Sequence, residues 1–494
     1  MMDVKSDAAP TKRDDTRAWR EIDWVAAERK VRQLQARIVK ATEKGKWRKV
    51  KNLQRLLTSS RSAKALAVRR VTESKGSKTA GVDGKLWLTD TAKGRAMRTL
   101  KRRGYKALPL KRIHIPKRGG GRRMLGIPCM YDRAMQALFL LSLEPVSETT
   151  GDGFSYGFRP LRSCWDVREQ LHILLAKRVS PQWILDADIE KCFDKISHEW
   201  LLKHIPLPKR VLKQWLKCGA IENGQLDPTS AGTPQGGVIS PTLANMVLDG
   251  LIRELDTVFV KFYKGRRHTN RFMLNAVRYA DDFVITGATH EFLEDEVVPR
   301  IKRFLAERGL RLSPTKTRII HIREGFDFLG YTVRKFGDKL IIRPSKASVM
   351  SFKRKVGKVM REGRGQDARI LVKRLNFLIN GWGRYFQTAM SKRTFSSLDY
   401  WLYGKLIRWA CRRHSKWGVR RCFLRYFSRD LSGRKWFCPD GSPLMLLSKI
   451  PIRRHPKTPA SMNPLSASHR VNVCTLLAKR HSLRFPSSLL SGSW

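Results

Sequence analysis

The chain has 494 residues, 41% of them hydrophobic, enough for two to four domains and a large buried core. Lysine and arginine number 100 against 42 acidic residues, a formal charge of +58, and a compact protein tolerates such self-repulsion best when a polyanion neutralises it. Nucleic acid is therefore the expected partner, and a membrane role is not expected, because no run of about 18 apolar residues is present to span a bilayer.

The opening MMDVKSDAAPTKRDD lacks the apolar stretch of a secretory signal, and its four aspartates argue against an organellar transit peptide. Residues 1–17 read as a disordered lead-in, and a cytoplasmic, nucleoid-associated location is expected. The eight cysteines, at 129, 164, 192, 218, 411, 422, 438 and 474, form no Cys-x-x-Cys pair, so reduced thiols rather than a structural zinc site are expected. From 23 to 58, Trp24, Ala27, Val31, Leu34, Ile38 and Ala41, then Val50, Leu53 and Leu57 beyond Gly45, predict a helical hairpin with Asp23 as first cap. Its other face carries Arg29, Lys30, Arg32, Arg37 and Lys40, either a phosphate-facing or a solvated surface.

From about 79 to 343, short β-prone runs alternate with glycine turns and amphipathic helices, the mixture of an α+β enzyme domain. Between 345 and 425 the pattern is helical, with apolar stripes at Leu371, Leu375, Leu378, Trp382 and Phe386 and at Leu398, Leu402, Leu406 and Ala410. Basic and aromatic residues interleave there, as in Arg384 and Tyr385, then Arg408, Trp409, Arg412 and Arg413. That mixture suits RNA, with rings stacking on unpaired bases and guanidinium groups on phosphates, although such rings also serve as packing. After about 430 the chain is rich in Ser, Pro and Arg without periodicity, and little structure is expected.

Ala276 to Ile285 places two β-prone arms around Asp281 and Asp282, a hairpin whose acidic tip alone reads equally as an ordinary turn. A second apolar run, Trp183-Ile184-Leu185, also ends in acids, Asp186 and Asp188. Carboxylates gathered at strand ends of so basic a chain cost folding energy unless a cation compensates them. Paired Mg²⁺ ions about 4 Å apart would do so, and would serve nucleotidyl transfer. Asp186 and Asp188 share a strand face, so periodicity does not choose between them.

Tyr279-Ala280-Asp281-Asp282 resembles the active-site box of reverse transcriptases, and the segment around Asp188 resembles their first catalytic motif. The resemblance implies catalytic Asp188, Asp281 and Asp282, a backbone metal ligand at Ile189 and an aromatic steric gate at Phe193. Thr79 to Gly84 and Ile115 to Pro128 resemble the fingers, where Lys117 and Arg123 correspond to cations on the incoming triphosphate; the alternative is a pair of solvated cations beside the 119–121 glycines. Gly153 to Pro160 and Gly232 to Pro241 resemble further blocks, the latter with Gln235 bordering the nucleotide and glycines that let backbone approach the nascent pair. Lys316, in Leu312 to Thr317, corresponds to a general acid for pyrophosphate, or is a surface lysine. Phe326 to Tyr331 is similar to the block that closes the palm and supports the primer strand.

Pro344-Ser345-Lys346, Leu375 to Phe386 and Leu398-Asp399-Tyr400 resemble the thumb and maturase region of bacterial group II intron proteins, and the 23–58 hairpin resembles their N-terminal extension. The implied fold is an α+β right-hand polymerase of fingers, palm and α-helical thumb, with an N-terminal helical extension. Its domains are 18–75 for the extension, 76–343 for fingers and palm, 344–430 for the thumb or maturase domain and 431–494 for a basic tail, possible remnant of a DNA-binding segment. The implied partners are group II intron RNA, an RNA template with DNA primer, target DNA and dNTPs, with two Mg²⁺ ions, replaceable by Mn²⁺; a homodimer stays open. The implied activities are splicing assistance and copying of intron RNA into DNA during retrohoming, with RNA contacts at Arg384, Tyr385, Arg408, Arg412 and Arg413. A splicing-only maturase and a reverse transcriptase recruited to phage defence or another cellular role are the alternatives. Family members often carry an endonuclease with Cys pairs and a His-Asn-His centre. Neither is found here, so second-strand cleavage by this chain is not expected.

Overall fold

In the computed structural model, which describes residues 12–116, 121–263, 266–429, 433 and 435–482, the N-terminal region begins with the helices Lys12–Arg20, Trp24–Glu43, Trp47–Ser59 and Arg61–Thr72. The Asp23 carboxylate accepts from the Ala26 amide at 2.9 Å, and Gly45 turns the chain with φ +63°, as the expected hairpin requires. The lead-in expected to be disordered to residue 17 is instead helical from Lys12. Asp15 on that helix is buried and meets Arg98 at 3.1 Å and Arg95 at 3.6 Å. Long-range partners of that kind leave no local pattern.

The last three of these helices pack on Met130–Thr150, which is buried along most of its length, whereas Lys12–Arg20 packs on Asp90–Thr99. Pro145 within that helix has no N–H, which frees the carbonyl of Leu141 four residues earlier. The Gln35 side chain takes that acceptor at 2.9 Å, and Gln54 donates to the next carbonyl, Ser142, at 3.1 Å. The helix Trp24–Glu43 is thus attached by a hydrogen bond that the proline itself makes necessary.

Two compact units are formed. The first comprises Met1–Ser163, Leu185–Ile319 and Thr458–Trp494. One of its sheets pairs Leu110–Pro116 antiparallel with Arg122–Ile127 and parallel with Ala220–Glu222, whose other neighbour is Gln225–Asp227. Another has the strand order Arg318–His321, Trp183–Asp188, Asp282–Gly287, Asn275–Tyr279, and carries the acids. Its inner residues Leu185, Ala187, Val277, Val284 and Ile285 are buried.

The second unit comprises Cys164–Ile184 and Ile320–Lys457. The antiparallel strands Phe326–Phe328, Tyr331–Phe336 and Lys339–Pro344 lie in it with the helices Lys346–Glu362, Ala368–Phe386, Lys392–Arg413 and Val419–Tyr426. The unit boundary therefore falls near 320, ahead of the expected 343/344 division. Both apolar stripes supply its core, through Leu371, Leu375, Phe386, Leu398, Leu402, Leu406 and Ala410. Lys335, 3% exposed, is tolerated because its ammonium donates to the Lys177 carbonyl at 2.7 Å and the Ser180 hydroxyl at 2.9 Å.

Residues after 430 also depart from expectation. Lys435–Phe437 pairs with Phe427–Arg429, and Asp399, 1% exposed, accepts from the Leu447 and Ser448 amides at 2.9 and 2.8 Å. In the first unit, Thr458 donates to the Leu161 carbonyl at 2.6 Å, and Arg480, from the helix Arg470–Ser482, donates to the same carbonyl at 3.0 Å. Strand pairing, scattered side-chain hydrogen bonds and irregularly spaced buried residues such as Phe437, Leu444 and Leu447 order the described part of this segment, so apolar periodicity does not reveal it.

Candidate active site

Tyr279 stands opposite Asp282 in the antiparallel pair, so Ala280 and Asp281 form a two-residue turn. Ala280 has φ +58°, a left-handed conformation that costs an L-residue roughly 1–2 kcal/mol and must be held by its surroundings. Residues 154–157 do the holding. The Tyr156 amide donates to the Arg278 carbonyl at 2.9 Å, and the Arg278 amide to the Phe154 carbonyl at 3.0 Å. Gly157 then lies so close that a Cβ there would sit 2.5 Å from the Ala280 nitrogen. Gly153 to Pro160, picked out by resemblance, is the backing of the acidic turn.

Asp188 ends the strand beside Asp282, and their carboxyl groups are in hydrogen-bond contact. Burial, then the nearby Asp281 and Asp188, push Asp282 up to about 7; burial also raises Asp281, with Asp188 adding to it. The Lys316 ammonium meets the Asp188 carboxylate at 2.6 Å, and this bond keeps the lysine protonated by raising its pKa. Arg123, exposed on its strand, lowers Asp281 through its charge. Asp186 is directed elsewhere, to Arg318 at 3.2 Å, so the structure brings Asp188 and not Asp186 to the 281/282 tip.

Beyond Asp188, Ile189 is buried and bridges Leu312, while the Ser313 amide donates to the Asp188 carbonyl at 2.8 Å. Lys191 at φ +46° turns the chain into the short helix Cys192–Lys195, which carries half-buried Phe193. The Phe193 carbonyl accepts from the Thr233 amide at 2.6 Å, and the Gly126 amide donates to the Gln235 carbonyl at 2.7 Å. A Cβ on Gly232 would be 2.6 Å from the Phe193 carbonyl oxygen, and one on Gly236 would be 2.7 Å from that of Gly126. In this structure those glycines admit neighbouring protein backbone. Phe193, Asp194, Gly126, Arg112 and Gln235 line one cavity of about 360 Å³. Lys117 lies outside the described residues.

Of the expected RNA contacts, Arg408 and Arg412 are exposed and Arg384 is half-buried. Arg413 donates to the carbonyls of Arg364, at 3.0 Å, and of Gln366. Tyr385 is taken up by packing: its ring stacks on Tyr331 with centroids 5.5 Å apart, and its hydroxyl donates to the Leu329 carbonyl at 2.8 Å. Sequence reading missed Arg278, which is 1% exposed and pairs with Asp249 at 2.5 Å. An arginine inside an otherwise apolar, turn-forming strand was the available signal, since such a charge requires a buried partner.

Among the described residues, no three His, Cys, Asp or Glu side chains already converge as a cation cage. No helix among them is long and apolar enough to cross a membrane. Residues 115–333 match the family described as reverse transcriptase (RNA-dependent DNA polymerase), 19–100 the N-terminal domain of reverse transcriptase, and 349–427 the group II intron maturase-specific domain. Protein YkfC of Escherichia coli (strain K12) is 32% identical over 324 residues, 57% of this chain and 83% of YkfC. The group II intron-encoded protein LtrA of Lactococcus lactis subsp. cremoris is 29% identical over 334 residues, 54% of each chain. An uncharacterized 91 kDa protein in a cob intron of Schizosaccharomyces pombe is 25% identical over 411 residues, 68% of this chain and 50% of that one. The alignments with LtrA and the cob-intron protein thus span about half of those relatives.

Proposed function

Because the chain belongs to the group II intron reverse transcriptase/maturase family, with the α+β right-hand polymerase fold of an RNA-directed DNA polymerase, we propose that Asp188, Asp281 and Asp282 are its catalytic carboxylates. The observation that carries this is the meeting of Asp188 with Asp282 at the hairpin tip, where Asp282 is pushed up to about 7. Hard oxygen donors under mutual repulsion suit divalent cations, and the donor set fits two Mg²⁺ ions, or Mn²⁺ in their place, with the Ile189 carbonyl as a further ligand. Such ions supply activation of a primer 3′-hydroxyl and stabilisation of leaving pyrophosphate.

The remaining work falls to the chain's own residues. Arg123, with Lys117, holds the triphosphate; Phe193 excludes a ribose 2′-hydroxyl, and Gln235 borders the base pair. Lys316, charged in its contact with Asp188, is the proton donor to pyrophosphate. Template RNA, DNA primer, dNTPs and target DNA are the polymerase's partners. Arg384, Arg408, Arg412 and Arg413 offer cations to intron RNA for splicing and retrohoming in the nucleoid-associated cytoplasm, whereas Tyr385 supports the fold against Tyr331.

The test is the double variant Asp281→Ala, Asp282→Ala, measured by primer extension on an RNA template with Mg²⁺ and by filter binding of RNA. Loss of extension with near-unchanged RNA binding is expected, because affinity resides in Lys and Arg. Continued extension would falsify the catalytic assignment, and loss of binding would show that the two functions are inseparable.

A further inference from the structure

We propose that Arg278 is a positioning residue that holds the Asp281–Asp282 turn in its metal-binding shape through a buried clasp with Asp249 and Asn245. The proposal rests on the catalytic reading above. Arg278 lies in the strand that runs directly into the turn and is 1% exposed. One guanidinium nitrogen, Nη2, meets Asp249 Oδ1 at 2.5 Å; the other, Nη1, donates to Asn245 Oδ1 at 3.3 Å and to the Ala280 carbonyl at 3.4 Å. Asn245 in turn donates to the Gly157 carbonyl at 2.7 Å. The guanidinium therefore reaches the turn directly, at Ala280, and also through Asn245 to the glycine on which the turn rests.

The far end of the clasp is equally anchored. Asp249 follows the helix Ser240–Leu248 and also accepts from the Asp152 amide at 3.4 Å. Asp152 accepts from the Gly250 and Ile252 amides at 3.0 and 3.3 Å. A left-handed alanine persists only where surrounding contacts over-determine it, and a planar fork can satisfy Asp249, Asn245 and Ala280 from fixed directions, which a lysine point charge cannot. Arg278 touches neither substrate nor ion in this reading. It sets where Asp281 and Asp282 stand.

Arg278→Lys in the full chain keeps the charge opposite Asp249 but loses the fork. The expected result is a melting temperature near wild type, a fall in kcat of about 10- to 100-fold with little change in KM for dNTP, and a several-fold rise in the Mg²⁺ concentration for half-maximal extension. Mn²⁺ binding without substrates, followed by the paramagnetic resonance of free Mn²⁺, should weaken by a similar factor, a readout that a purely structural ion pair would not move. Arg278→Met with Asp249→Leu leaves no unpaired buried charge and should reproduce the defect if the lysine variant fails to fold. A folded variant with wild-type kcat and Mn²⁺ binding overturns the proposal, as does failure of both variants to fold, which would make the pair a folding element. If Asp281→Ala, Asp282→Ala is inactive while the Arg278 variants are normal, only the clasp falls; if that double variant is active, the catalytic reading itself falls.

Discussion

Gly157→Ala inserts one methyl group where the acidic turn rests on its support. The new Cβ would meet the Ala280 nitrogen at 2.5 Å, the Tyr279 carbonyl carbon at 3.0 Å and the Ala280 Cβ at 3.1 Å, where ordinary contact is 3.4–4 Å. Two of those three are backbone atoms, so no side chain can rotate away, and the turn must retreat by roughly 1 Å, a misplacement that typically costs on the order of 10²-fold in rate. Overpacking of this kind destabilises by about 1–3 kcal/mol, too little to unfold a chain of this size. Single-turnover primer extension at saturating dNTP should therefore slow on the order of 100-fold, while RNA binding and melting change little. Gly381→Ala is the control: a Cβ there meets nothing within 4 Å, and alanine should stabilise the helix Ala368–Phe386 by roughly 0.5–1 kcal/mol. A folded Gly157→Ala protein that extends primers at the wild-type rate would refute the argument that the 153–160 block sets the position of the turn.

Phe193→Ala should admit ribonucleotides, lowering the dNTP/rNTP ratio of kcat/KM by roughly 10- to 200-fold; unchanged discrimination would remove the gate role. Asp282, held up to about 7 by burial and its acidic neighbours, keeps a proton below that pH, and a divalent cation must displace it. The Mg²⁺ concentration for half-maximal extension should thus rise about fivefold from pH 7 to pH 6 and level off above pH 8; a flat profile would show that Asp282 does not ligate the ion. Asp399→Ala leaves the Leu447 and Ser448 amides without their acceptor, at a cost of roughly 2–4 kcal/mol in denaturant unfolding. An unchanged midpoint would mean that the 447–449 turn is held by other contacts.

The helical hairpin, the apolar stripes and the acidic turn were readable because each is local: a cap three residues from its amide, a spacing of three and four, two acids between β-prone arms. The choice of Asp188 over Asp186 was not local, and it came from family likeness; in the structure Asp186 pairs with Arg318 and Asp188 with Lys316. What escaped has a common character. Asp15 with Arg98, Arg278 with Asp249 and Asp399 with Leu447 join positions tens of residues apart by polar contacts, and polar pairs impose no period on a sequence. The Gly232–Gly237 loop shows a subtler limit. Its glycines do signal close approach, yet what approaches them here is the chain's own backbone at Phe193 and Gly126.

The interrupted layout of the first unit, which draws on residues up to 163, on 185–319 and again on residues from 458 onward, has a consequence for biogenesis. While a ribosome is still translating, Leu161 waits for Thr458 and Arg480, partners made some 300 residues later. The unit bearing the acids therefore closes only after the intervening helices have emerged. A nascent chain stalled before residue 458 would carry every acid of the site on a scaffold still lacking its last strap.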